Sequence, residues 1–507
     1  MALVSAAVQS AASSIVTIPA RWPLAAAGRW LRARAPEAAI FAFGVFVRIT
    51  MAYRFDTHWG IDAATHWEVV EWMAKHATLP PQDQLLQAQH PPLFYTVAAL
   101  LTHCGLTRAQ IVAFPILFGT IRLALFWCGL EWLLPNRRWV RLPALVLAAV
   151  LPASVYMDGC LFPEPIHATF VAAALLAIPR VFDAPHGARW KRAALVGLWL
   201  GLALLTKVTG LVVFVAIAIA VACDAVFTPA SDRKERLARV LPWSATLGVC
   251  LAIAGWYYAR NVVNFHKPFI TSFDTTERAS AMARLKGVPL LDRRTLGFFV
   301  GWDTGIYEFP YFKGGDPSGH PRFLTIAMAS TFLDYYNAAF SGLDPGTPGP
   351  LRSGPAGSVH SHALTPRLVS VGRWAAAAGT ILFPVATVAG VLCVARTFRD
   401  RRWGLFCLAV LPFATVLFQL YAALRYPFDD IAVVKSTYMQ FGMLPMIAFL
   451  GIAFEWSRAR RHRIPIAAAL LAALWVVSAY TLYCRTGVTL LPVSTSEKPT
   501  EKGPPWR

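Results

Sequence analysis

Apolar stretches of about twenty residues recur along most of this chain, and that length matches the ~20 residues a helix needs to cross a bilayer core. "GLVVFVAIAIAVACDAVF" (210–227) is one of them. A bilayer offers no partner to backbone N–H and C=O groups, so each crossing must satisfy them internally, as a helix does. Of the 507 residues only 15% are charged, against roughly 25% in soluble domains. The expectation is an all-α polytopic membrane protein.

The positions of the basic residues set the threading. Lys and Arg gather at residues 21–34, 137–141, 189–192, 233–239, 396–402 and 458–463, each beside an apolar run. Cytoplasmic loops carry this bias. The formal charge of +20 is therefore a topology signal, and a nucleic-acid partner is not expected. With every basic cluster inside, spans fall near 37–55, 109–134, 139–156, 165–182, 193–208, 209–227, 240–258, 371–396, 403–424, 437–456 and 463–484, a bundle of about 11 helices. The N-terminus is then cytoplasmic and the C-terminus extracytoplasmic, in a plasma (inner) membrane. No early positive charge precedes the first apolar part, so a cleaved signal peptide is not expected. The stretch "PPLFYTVAALLTHCGL" (91–106) is short for a span and reads as a helix lying at or dipping into the outer surface. "TFLDYYNAAF" (331–340) reads as a second interfacial helix.

This threading places four segments on one outer face: 56–108, the loop "MDGCLFPEPIH" (157–167), the segment 259–370, and "RYPFDDIAVVKSTYMQ" (425–440). Residues able to do chemistry collect there, whereas the inner loops are short and basic. The parts expected are a cytoplasmic segment 1–36; a transmembrane catalytic module 37–258 that includes outer loop 56–108; an extracytoplasmic region 259–370 whose Gly/Pro-rich part 341–358 is flexible; C-terminal transmembrane helices 371–485; and an extracytoplasmic tail 486–507. The cysteines lie mostly in apolar runs and suggest no disulfide framework. Cys160 is expected within reach of an impermeant thiol reagent from outside.

In the first outer loop, Asp62 and His66 are four apart and share one face of a helix, with Glu68, Glu71 and Lys75 on another and Trp67 and Val70 able to touch lipid. Pro80 and Pro81 end it. A solvated amphipathic linker has the same pattern; so does a carboxylate held at the height of a lipid headgroup. His58, Asp62 and His66 permit a metal site, but no HExxH or Cys-pair spacing supports one, and a divalent metal stays open as a cofactor. Asp158 and Glu164 precede the next span, where a helix dipole favours Glu164 in any case. Lys207 interrupts two apolar runs, where an ammonium needs water, an anion, or a path to the headgroups. Arg260, His266 and Lys267 follow at an outer membrane edge in "GWYYARNVVNFHKPF" (255–269).

The order of an outer-loop Asp and His, "HPPLFY", a "PEP" loop at a helix start, "GLALLTKVTG" and "GWYYARNVVNFHKPF" resembles the C-type membrane glycosyltransferases (GT-C). It is most similar to bacterial relatives of protein O-mannosyltransferases and of the lipid A aminoarabinose transferase. The likeness runs over about residues 37–270. It implies a polyprenyl-phosphate-linked sugar donor and an acceptor hydroxyl, on a lipid, glycan or protein, at the outer face. By position, Asp62 matches the loop acid regarded as catalytic, His90 the basic residue before the paired prolines, and Glu164 the second-loop acid. Many relatives carry an acidic pair where this chain has Asp62 followed by Ala63.

The chemistry fits the residues. A lipid-borne sugar phosphate already has a good leaving group, so the protein must add a base, cations and placement. Asp62 and Glu164 are the catalytic candidates, with His66, His90, Asp158, Lys207, Arg260 and Lys267 as substrate-binding candidates. The expected activity is hexosyl or pentosyl transfer with inversion, by one direct displacement. A lipid or solute transporter is the rival; it would place ionisable groups near the midplane, often in paired repeats, whereas these acids sit at outer ends of spans. A non-catalytic assembly protein is the third reading.

Overall fold

A computed structural model describes residues 34–54, 63–82, 84–135, 137–271, 274, 282–311, 322–333, 366–427, 434, 441–458 and 464–486. Among them the regular structure is entirely helical. The main helices are α1 (Ala35–Arg54), α2 (Ala63–His76), α3 (Leu93–His103), α4 (Ala113–Leu133, entered through the helical turn Arg108–Ile111), α5 (Arg138–Val150), α6 (Pro152–Asp158), α7 (Glu164–Phe182), α8 (His186–Thr206), α9 (Leu211–Phe227), α10 (Arg233–Val240), α11 (Trp243–Phe265), α12 (Phe323–Phe332), α13 (Pro366–Arg399), α14 (Trp403–Arg425), α15 (Met443–Arg458) and α16 (Ile464–Thr486); a short turn of helix, Leu296–Val300, precedes α12.

Each expected apolar run carries a helix. By length and composition, 7 of the described helices can cross a membrane, or up to 8 if the bent pair α5–α6 is one span. That bend of 44° has a local cause. Leu151 is extended (φ −57, ψ 118) ahead of Pro152, as the clash of a proline ring with the preceding residue demands. The broken span delivers Asp158 to the bundle interior. As expected, α3 is a short apolar helix of 11 residues. The expected helix over 331–340 is met only at its start: Thr331 and Phe332 close α12, which is buried rather than interfacial, and 334–340 lie outside the described residues. So does the Gly/Pro-rich 341–358.

Two large apolar cores hold the bundle. One joins α4 and α5 to α12, α13, α15 and α16; the other packs α7, α8, α9 and α14. Helix α1 lies tight on α4 and α5 at Gly44, where an added Cβ would meet Leu123 at 2.6 Å and Ala149 at 2.9 Å. Small residues at helix crossings allow such approach in a bilayer, where dispersion replaces the hydrophobic drive.

A third, smaller cluster seats the α2–α3 hairpin on the bundle. Val69 and Val70 of α2 and Phe94, Tyr95 and Ala98 of α3 pack on Ile111, Ile116, Leu161 and Ile166. Glu68, Glu71 and Lys75 face outward as expected, and burial together with the Glu71 carboxylate pushes the Glu68 carboxyl above its usual range. Val70 departs from expectation. It is 1% exposed, packed against protein rather than lipid, because α3 covers that face. Trp67 lies half-buried, its indole donating to Glu71 at 2.6 Å, with the Arg108 guanidinium 5.2 Å above the ring.

The basic clusters meet at one end of the bundle. Arg34 pairs with Glu131 at 2.7 Å, Arg138 and Arg141 with the buried Glu37 at 2.8 Å each, and Arg137 with Glu455. At that same end lie the C-terminus of α7 and the N-terminus of α8. Glu164 opens α7 at the opposite end, roughly 27 Å away at 1.5 Å of rise per residue.

Candidate functional site

Glu164 begins α7 behind Pro163, with Pro165 in the first turn, where a missing N–H costs nothing. Its carboxylate faces Lys207. The lysine stands in the gap between α8 and the 3-10 turn Val208–Gly210 that leads into α9, with extended backbone (φ −158, ψ 138). A broken helix thus brings a cation to the end of α7. Lys207 Nζ donates to Glu164 Oε1, and both side chains are buried, 4% and 9% exposed. The other oxygen, Glu164 Oε2, is buried and accepts no hydrogen bond among the described residues.

Two histidines converge on this pair from separate segments. His66 and His90 both lie within electrostatic range of the Glu164 carboxylate. Their rings stack at 5.6 Å, and His66 shares a 2.6 Å hydrogen bond with the Tyr95 hydroxyl through Nδ1. Phe162 also packs against the His66 ring, the ring centroids 5.4 Å apart. Behind the ion pair, His167 donates from Nδ1 to the Ala203 carbonyl at 3.0 Å, and its Nε2 shares a hydrogen bond of 3.2 Å with the Thr209 hydroxyl. That pattern ties the gap around Lys207 to the first turn of α7.

The loop carrying His90 is clamped to α11. Gln82 donates to the Tyr257 hydroxyl at 3.2 Å and to Asn261 at 3.1 Å, and Tyr257 donates onward to the Gln89 carbonyl at 2.8 Å. The side-chain oxygens of Gln82 and Gln89 are buried and accept no hydrogen bond among the described residues. Arg260, half-exposed on α11, is electrostatically coupled to Tyr257. Helix α11 runs past the expected edge at 258 to Phe265 and ends at His266 in a left-handed cap (φ 56).

The structure therefore brings Glu164, Lys207, His66 and His90 together and sets Arg260 beside the loop of His90. Asp62 lies outside the described residues; the chain resumes at Ala63, fully buried and one turn ahead of His66. Lys267 pairs with Asp274 at 3.0 Å and is largely exposed. Partial burial raises the Asp274 carboxyl, but hydrogen bonds from Lys267 and Thr271 outweigh it and hold it below the usual range. Asp158 has a different setting. It is fully buried, receiving Arg48 Nε at 2.7 Å and Arg122 Nη2 at 2.8 and 3.0 Å. Gly119 makes room for it, since a Cβ there would come within 2.2 Å of the carboxyl carbon. Cys160, expected to be accessible, is 1% exposed and donates to the Tyr156 carbonyl at 3.1 Å; its loop folds into the bundle instead of projecting.

Sequence reading missed Arg48, Arg122, Tyr95, Gln82, Gln89, His167 and Tyr257. Arg48 and Arg122 had a signal, since each is a cation inside an apolar run and needs a buried partner. The aromatic and amide groups had none. Among the described residues, no group of three His, Cys, Asp or Glu side chains gathers as metal ligands do; His58 and Asp62 lie outside them.

No protein-family model and no curated protein matches the chain. Among solved structures it is similar to the archaeal oligosaccharyltransferase AglB from Archaeoglobus fulgidus, in complex with an inhibitory peptide and a dolichol-phosphate. That likeness has a TM-score of 0.49 at 12% identity, over 89% of this chain and 56% of the archaeal one, so the chain spans little more than half of that protein. It is also similar to ArnT from Cupriavidus metallidurans in the apo state (TM-score 0.46, 13% identity, 91% of this chain and 76% of that one). To ArnT bound to undecaprenyl phosphate the TM-score is 0.34, at 15% identity over 89% and 78% of the two chains.

Proposed function

We propose that the chain is a GT-C-type glycosyltransferase of the inner membrane that moves a sugar from a polyprenyl-phosphate-linked donor to an acceptor hydroxyl on the extracytoplasmic face. The observation that carries the reading is the buried Glu164–Lys207 pair, with Glu164 Oε2 unpartnered and two histidines stacked beside it. An unpartnered buried acceptor costs about 1–3 kcal/mol, a cost offset when a ligand donates to it. The hydroxyls of a sugar are such donors, and the buried oxygens of Gln82 and Gln89 on the His90 loop offer two more acceptors. Lys207 and Arg260 supply positive charge, and His90 a ring N–H, for a phosphate that leaves water.

In the proposed reaction the acceptor oxygen attacks the anomeric carbon as the bond from that carbon to the phosphate oxygen breaks. The lipid phosphate leaves with the electron pair, and the acceptor proton passes to the Asp62 carboxylate. One displacement inverts the anomeric centre. Glu164 orients the sugar through its free oxygen, while Lys207 holds the other. Hexosyl or pentosyl transfer is open to the same geometry.

The test uses purified full-length protein in liposomes with a polyprenyl-phosphate sugar labelled in the sugar. Asp62→Asn is expected to fold and to lose turnover by about two to four powers of ten, the range for a general base. Near-normal transfer by that variant moves the base elsewhere, with Glu164 the next candidate. Loss of turnover in wild type under every donor tried removes the proposal.

A further inference from the structure

At the end of the bundle opposite Glu164 lies a cavity of about 300 Å³, between the C-termini of α4, α7 and α9, helix α10, and the N-termini of α8 and α14. Its wall holds Arg189, Arg239, Arg401 and Arg402 against Asp183 and Asp224, a surplus of two positive charges. The first two arginines are fixed by the protein. Arg189 donates to the carbonyls of Ala184 at 2.9 Å and Phe182 at 3.1 Å; Arg239 donates to those of Thr228 at 3.1 Å and Pro229 at 2.8 Å, and to Glu235 at 2.5 Å. The guanidinium groups of Arg401 and Arg402 make no hydrogen bond among the described residues, although Asp183 and Asp400 attract Arg402 electrostatically.

Arg401 is held at φ 52 in the turn between α13 and α14, a left-handed position that glycine would occupy at less cost. The indole of Trp403 donates to the Thr228 hydroxyl at 2.7 Å, and both residues line the cavity. Phe227 and Phe398, which pack on the Trp403 ring at 6.4 and 5.6 Å, are exposed at 48% and 38% and edge the cavity with apolar surface. A cation surplus in a concave site, rimmed by apolar side chains at the end of membrane-spanning helices, suits an anion attached to an acyl chain. Basic pockets between transmembrane helices recognise acidic lipid headgroups in this way.

We infer that this cavity binds a phosphate-bearing anion through Arg401 and Arg402. The planar guanidinium matches two phosphate oxygens at once. The apolar edge favours a phospholipid headgroup as its source over a soluble phosphate.

The experiment is native mass spectrometry on the purified full-length protein, incubated with phosphatidylglycerol or phosphatidylcholine, with melting measured in parallel in inorganic phosphate. The variant is Arg401→Gln with Arg402→Gln, and Arg399→Gln, an exposed cation that closes α13, is the control. Arg401→Gln alone guards against misfolding of the double variant, since its side chain makes no hydrogen bond among the described residues. Wild type and control should retain phosphatidylglycerol and not phosphatidylcholine, and the double variant should lose roughly tenfold or more, the scale of one charge-assisted contact. If inorganic phosphate raises the melting temperature of wild type alone and displaces the lipid, the anion is phosphate from a soluble source. Equal lipid retention in wild type and both glutamine variants, with no shift in phosphate, overturns the inference.

Discussion

Lys207→Met removes one partner of an ion pair whose side chains are 4% and 9% exposed. Methionine keeps the length of the chain but not its charge, so a carboxylate remains buried with one oxygen already lacking a hydrogen bond. Breaking a buried pair from one side costs about 3–5 kcal/mol, because the surviving charge has nowhere to be solvated. Replacing both partners is cheaper, and Glu164→Gln with Lys207→Met should recover most of that loss. The assay is a double-mutant cycle on melting in detergent for wild type, both single variants and the pair, with transfer activity measured on the same samples. Compensation in stability without compensation in transfer is the expected result, since the double variant folds but lacks both the charge and the free carboxylate oxygen. Two results would refute the reasoning. If Lys207→Met melts like wild type, the pair contributes nothing; if the double variant regains transfer, the pair is a structural strut.

Asp158→Asn should destabilise the bundle more than Arg122→Met does, because the first leaves two buried guanidiniums facing each other and the second leaves a neutral Arg48–Asp158 pair; melting of the two variants decides it. Tyr257→Phe removes the donor to the Gln89 carbonyl and the acceptor for Gln82, and should cost about 1–3 kcal/mol; limited proteolysis should then cut sooner between residues 77 and 92. In intact cells an impermeant thiol reagent should label the exposed Cys104 and a cysteine replacing Leu291, which is 76% exposed, but not one replacing Lys234. Labelling at 234 from outside would break the shared-face argument.

Much of the bundle was legible because a bilayer forces one solution on an apolar run. The ends of α7 and α9 fall close to where hydropathy and the charge clusters put them, and Lys207 stood out as a cation between two such runs. The meeting of Glu164 with Lys207 was less accessible. They are 43 residues apart, and only the breaks at Pro163 and at the extended Lys207 bring both to one end. The sequence grouped Asp158 with Glu164 by proximity, yet six residues of bent chain separate two environments, one closed by Arg48 and Arg122 and one facing the histidines. Val70 and Cys160 were misread for a common reason. Each lies in a segment named for the outer face, but α3 and the fold of the 159–163 loop cover them, and tertiary cover leaves no mark on local pattern.

The most direct test of glycosyl transfer follows two labels in one donor. Polyprenyl-phosphate sugar labelled in both the sugar and the phosphate is supplied to sealed vesicles containing the purified protein and a mixture of candidate acceptors. The account predicts that the labels part: the sugar label leaves the lipid for an acceptor, the phosphate label stays on the polyprenol, and Asp62→Asn and Glu164→Gln slow both changes alike. Passage of both labels together across the vesicle membrane, with the sugar–phosphate bond intact, would contradict it and identify a transporter.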